Sequence, residues 1–121
     1  MPSDPLPRLR EISLALPEAV EDPEGVGHPS FKVRDKIFAM YMPNHHDDGR
    51  VALWCKAAPG DQAALVEGDP SRFFIPPYVD RHGWIGVRLD RGEIDWDEVT
   101  DLVSRSYRLI APNRLAVAVT S

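Results

Sequence analysis

Residues 28–56 read HPSFKVRDKIFAMYMPNHHDDGRVALWCK, three strand-like runs separated by one tight turn and one polar loop. Phe31, Lys32 and Val33 alternate, Arg34-Asp35 suits a two-residue turn, and Lys36 to Met42 returns, the pattern of a β-hairpin. A two-residue turn pairs Val33 with Lys36 and, in simple alternation, Phe31 with Phe38. Phe31, Val33, Phe38 and Met40 are then expected on one face, and Lys32, Ile37, Ala39 and Tyr41 on the other. Arg50 to Lys56 forms the third strand. If its aliphatic set Val51, Leu53 and Cys55 joins the core, Trp54 and Lys56 lie beside Lys32 and Tyr41; an odd connection would instead bury Trp54 on the core side.

The loop between these strands carries His45, His46, Asp47 and Asp48 in a row. Neighbours in an extended loop point apart, and a metal centre needs more distant ligands with defined geometry, so the run reads as a solvated tip and no metal is expected. Upstream, Ser3 or Asp4 can cap a helix with Pro5 in its first turn, and Leu6, Leu9, Ile12, Leu14 and Leu16 follow at roughly helical spacing until Pro17. Residues 18–24, EAVEDPE, hold four acids and suit an edge strand or loop whose charge resists edge pairing.

Downstream, Asp61 begins a short helix with Ala64 and Leu65 on its packing side, ended by Gly68. DPSRFFIPPY, residues 69–78, reads as an ordered loop anchored on the core by Phe73, Phe74 and Ile75. Residues 84–90 alternate again, with Ile85, Val87 and Leu89 opposite Trp84, Gly86 and Arg88. Asp95 and Glu98 form a capping-box variant for a last helix whose apolar stripe is Trp96, Val99, Leu102, Val103, Tyr107 and Ile110. Arg105 and Arg108 fall in its final turns, where they suit the negative helix end. Pro112 stops it, and Leu115 to Val119 is a short apolar tail expected to tuck against the sheet. This order gives an α+β class: an antiparallel β-sheet with helices packed on one face, expected as one domain over residues 1–121.

Composition narrows the function classes. With 14 basic and 19 acidic residues the formal charge is −5, so a nucleic-acid partner requires a local patch. Residues 31–56 supply one, with Lys32, Arg34, Lys36, Arg50 and Lys56 against Asp35, Asp47 and Asp48, a local +2. The lone Cys55 excludes an internal disulfide and fits a reducing compartment. No membrane span or leader pattern stands in the chain, and a cytoplasmic location is expected. Phosphate loops, catalytic triads and cofactor signatures are absent from the sequence, and no cofactor is expected.

HPSFKVRDKIFA, VALWCK, FFIPPY followed by HGWIGVRLD, and DEVTDLVSRSYRLIAP together resemble the MmcQ/YjbR family across about residues 6–115. The resemblance implies a frataxin-like, CyaY-type fold and a DNA-binding role. The acidic ridge that frataxins use for iron has no counterpart in the first helix, which carries Arg8, Arg10 and Glu11. The leading expectation is non-enzymatic nucleic-acid binding on the open sheet face, to DNA or a single strand. There Lys32, Arg34, Lys56 and Arg88 contact phosphates while Tyr41, Trp54 and Trp84 stack on bases. The alternative is a module for a small molecule or protein partner on the same aromatic face, with the FFIPPY loop as a wall. An enzyme would draw on Asp80, Arg81 and His82, but no nucleophile is placed beside them by motif, and Cys55 lies on an inward face.

Overall fold

The structure, a computed structural model, describes residues 4–22, 28–43, 50–76 and 83–119. In chain order these form α1 (Leu6–Leu14), β1 (Val20–Asp22), β2 (Ser30–Val33), β3 (Lys36–Pro43), β4 (Val51–Lys56), α2 (Asp61–Gly68), β5 (Phe73–Phe74), β6 (Trp84–Arg88), α3 (Trp96–Ile110) and α4 (Asn113–Ala116). The strands make one antiparallel sheet in the order β1-β2-β3-β4-β6-β5. All four helices contribute side chains to the cluster on one sheet face, the expected α+β arrangement.

The hairpin turn forms as its residues require. Arg34 and Asp35 adopt φ of 50° and 65°, the left-handed values that a two-residue turn needs to match strand twist, and Val33 pairs with Lys36. Simple alternation then fails by one residue. Phe31 faces Ala39 while Lys32 faces Ile37, so Phe38 is the extra residue of a β-bulge. Phe38 and Ala39 both turn toward the helices, each 0% exposed, and the parity of β3 reverses beyond them. Ala39 and Tyr41 therefore enter the helix-side core and Met40 moves to the opposite face, where Met42 also lies, correcting the assignment made by alternation.

Of the two parities left open for the third strand, the one observed puts Leu53 and Cys55 in the helix-side core and Ala52 and Trp54 opposite. β5 is a two-residue edge strand within the proline-rich segment. Phe73 is buried in the core and Phe74 packs on the other face, whereas Ile75, expected as an anchor, is exposed. Phe74 lies across Gly86, where any Cβ would run into its ring, so glycine is needed at that point of β6.

α1 ends at Leu14, before Pro17; Leu9 is its deepest apolar residue, while Leu14 is exposed. Asp4 accepts a 3.0 Å hydrogen bond from the Leu6 N–H, the capping role expected of it. In α2 the packing side is Leu65 and Val66, and Ala64 is exposed. α3 is capped as expected, the Asp95 carboxylate accepting from the Glu98 N–H at 3.1 Å. It buries Val99, Leu102, Val103 and Tyr107, with Trp96 and Ile110 half-buried at its ends. The tail forms α4, which seats Leu115 in the core through contact with α3.

Candidate nucleic-acid interface

The sheet face away from the helices carries a second apolar cluster of Met40, Met42, Ala52, Trp54 and Trp84, with Ile37 and Phe74 packed at its edge. Register brings four of the expected contact residues together on it. Lys56 pairs with Trp84, Trp54 with Gly86, and Ala52 with Arg88, so Trp54, Lys56, Trp84 and Arg88 line two adjacent strands. Lys32 alternates onto the same face from β2. Arg34 lies in the hairpin turn, and Tyr41 lies on the opposite face, removed by the bulge.

Burial and pairing change what these residues can do. Trp54 is 3% exposed and Trp84 9%, so their rings fill the cluster instead of offering a free stacking surface. Three of the four cations have carboxylate partners. Lys32 lies 3.4 Å from Asp22, Arg34 grips Glu18 through two bonds of 2.6 and 3.1 Å, and Arg88 grips Asp90 through two bonds of 3.0 Å. The Arg34 bonds hold the Glu18 carboxyl below the usual carboxylate range, and those of Arg88, with the Val51 N–H, do the same for Asp90. Tyr41 donates to Asp4 at 3.3 Å, and burial first, then Asp4, pushes its phenol up to about 12. Burial likewise pushes the Cys55 thiol up to about 12, which leaves it unreactive as a nucleophile at neutral pH.

Lys36 and Lys56 have no carboxylate partner among the described residues. Lys36 is exposed at the start of β3, and Lys56 is half-buried at the end of β4. Because Ala39 faces Cys55, the two lysines mark the same end of the sheet. α3 delivers its basic half to that end. The Ser106 hydroxyl donates to the Phe38 carbonyl at 2.7 Å and accepts the Lys56 N–H at 2.9 Å, fixing the helix over the bulge. Arg105 and Arg108 flank this anchor: Arg105 bonds Asp101 at 2.9 Å, and Arg108 donates to the Val119 carbonyl at 3.3 Å.

Sequence reasoning counted Lys36 in the local charge but not among the contact residues, and it missed Ser106 altogether. The available signal was a small polar residue inside the apolar stripe of α3. The His45–Asp48 run and the Asp80, Arg81 and His82 group lie outside the described residues. Among the described residues no helix is long and apolar enough to cross a membrane.

Two curated relatives are both named peptide chain release factor 1. The one from Frankia casuarinae is 33% identical over 92 residues, 74% of this chain and 26% of the relative. The one from Corynebacterium efficiens is 31% identical over 113 residues, 92% of this chain and 31% of the relative. The chain thus spans about a quarter to a third of the length of these relatives. The crystal structure of a Deinococcus radiodurans protein with a DUF419 domain matches the fold with a TM-score of 0.74 at 20% identity, covering 94% of this chain and 83% of that one. The YjbR family profile matches residues 14–109, from the last turn of α1 through all six strands to the penultimate residue of α3, and the chain belongs to the YjbR family.

Proposed function

We propose that this YjbR-family chain is a non-enzymatic nucleic-acid-binding protein that contacts the phosphate backbone through the basic end of its sheet. The observation that carries this reading is the pair Lys36 and Lys56, both without a carboxylate partner among the described residues and set at one end of the sheet, over which the Ser106 anchor holds α3. Lys32, Arg34 and Arg88 are already neutralised within the fold and contribute less. With Trp54 and Trp84 buried, stacking on bases contributes little, so the binding is weak, salt-dependent and indifferent to sequence. The buried, high-pKa Cys55 supports a role without covalent catalysis.

The test is a titration of fluorescently labelled single- and double-stranded oligonucleotides at low and near-physiological salt. RNA is included beside DNA because two relatives carry the name of a peptide chain release factor. About two to four phosphate contacts predict a log–log salt slope of about −2 to −4 on duplex. Lys36→Glu with Lys56→Glu should abolish binding, whereas Lys32→Gln should leave most of it. An absence of binding even at low salt would overturn the proposal.

A further inference from the structure

α2 and α3 stand apart over the end of β4 and leave a cleft of about 320 Å³ between them. Its apolar lining is Ala57, Ala58, Ala64, Leu65 and Leu102, and the alanines leave the space open. Leu65 is only partly buried although it is one of the two residues by which α2 packs on the core. Opposite charges face each other across the gap. Arg105 of α3 and Asp61 of α2 approach to 4.0 Å, too far for a hydrogen bond.

Of the other charged residues lining the cleft, Lys56 has no carboxylate partner among the described residues, whereas the two acids are committed. Glu98 is held by Arg72 at 2.7 and 3.2 Å, and Asp101 takes the Arg105 Nε–H at 2.9 Å. A guanidinium has five donors, so Arg105 keeps N–H groups for a second carboxylate, and Asp61 keeps acceptors for an ammonium. A cleft at the small end of ligand sites, apolar within and bearing the separated Arg105–Asp61 pair with Lys56 also in its lining, is complementary to a small zwitterion with an apolar body.

We infer that the α2–α3 cleft binds a free apolar α-amino acid, its carboxylate on Arg105, its ammonium on Asp61 and its side chain against Leu65 and Leu102. The cleft shares Lys56 with the phosphate contacts proposed above, and its occupant bridges the Arg105–Asp61 gap.

L-Phenylalanine is the probe, with phenethylamine and 3-phenylpropionate as analogues that each carry one of its two charges. Binding to the full chain is followed by amide NMR shifts and calorimetry. The expected result is saturable shifts confined to the cleft, including Ala57, Asp61, Ala64, Leu65, Leu102 and Arg105, with each analogue at least tenfold weaker. Ala64→Trp, which fills the cleft from an exposed position, should weaken L-phenylalanine at least tenfold, and Arg105→Gln should bring it to the level of phenethylamine. No localised shift at millimolar L-phenylalanine, equal binding of the analogues, or undiminished binding to a folded Ala64→Trp variant would each overturn the inference.

Discussion

The Ser106 hydroxyl donates a 2.7 Å hydrogen bond to the carbonyl of Phe38, the extra residue of the β3 bulge, 68 positions away in sequence. A bulge interrupts the ladder and leaves backbone groups without their usual partners. Ser106 satisfies two of them at once, because it also accepts the Lys56 N–H, and it is 0% exposed. Tyr107, the next residue of α3, meets the same Phe38 edge-on with ring centroids 5.3 Å apart, so helix and bulge interlock through both polar and aromatic contact.

Ser106→Ala should therefore destabilise the protein by about 1–3 kcal/mol, the cost of stranding buried backbone groups, with little change in apolar volume. Urea unfolding measures the loss. Native-state hydrogen exchange should show the Lys56 amide opening faster than its neighbours in β4. A variant as stable as the parent would mean that water satisfies both groups.

Trp54→Ala should behave as a core truncation. With the ring 3% exposed among Met40, Met42 and Trp84, a loss of about 3–5 kcal/mol is expected in denaturant unfolding, together with a general loss of native signal at physiological temperature. If Trp54 were a free stacking platform instead, the variant would keep its stability and lose only oligonucleotide affinity.

The bulge also explains how far the candidate site was legible from sequence. The turn at Arg34-Asp35 and the alternation of Phe31 and Val33 follow from local chemistry, and both are observed. Nothing in Ile37-Phe38-Ala39-Met40 distinguishes a regular strand from one with an inserted residue. The choice is made by α3, whose Ser106 supplies the compensating hydrogen bonds, so Tyr41 was placed on the wrong face. Charge followed the same pattern. The Arg88–Asp90 pair joins residues two apart on one strand side and was legible in principle, whereas Lys32–Asp22 depends on β1 pairing with β2, and Arg34–Glu18 on a fold that brings the α1–β1 turn to the hairpin.

Gly86→Ala should expel the Phe74 ring from its seat and cost about 1–3 kcal/mol. Arg50 stacks its guanidinium 4.1 Å from that ring, so the disturbance extends to Arg50. Adding Phe74→Ala removes the clash. The double variant should accordingly be less destabilised than the sum of the two single ones, a coupling that a thermodynamic cycle reads directly.

Acid sensitivity follows from Glu18 and Asp90. Both carboxyls titrate lower in the folded state than in the unfolded chain, because Arg34 and Arg88 bond their ionised forms. Their contribution is fully present above the ordinary carboxylate value of about 4 and is lost as pH falls through the lower folded values. Thermal denaturation from neutral pH to about pH 2 should show this decline, and Glu18→Gln should make it shallower. Tyr41 acts at the other extreme. Its phenol is raised to about 12, so the stabilisation it gives is intact below about 10 and lost as pH rises toward 12; Tyr41→Phe should flatten the alkaline limb.

A second buried serine reverses the sign of the first. Ser13 in α1 is 0% exposed like Ser106, yet its hydroxyl has no hydrogen-bond partner among the described residues. Burying a hydroxyl without a partner opposes folding. Ser13→Ala should therefore stabilise the chain by about 0.5–2 kcal/mol, while the same substitution at Ser106 weakens it. Measuring both variants in one urea series separates the two causes, since the chemical change is identical and only the partners differ. A destabilised Ser13→Ala would indicate that the hydroxyl has a partner in solution, a bound water being the simplest, and hydrogen exchange across α1 would locate it.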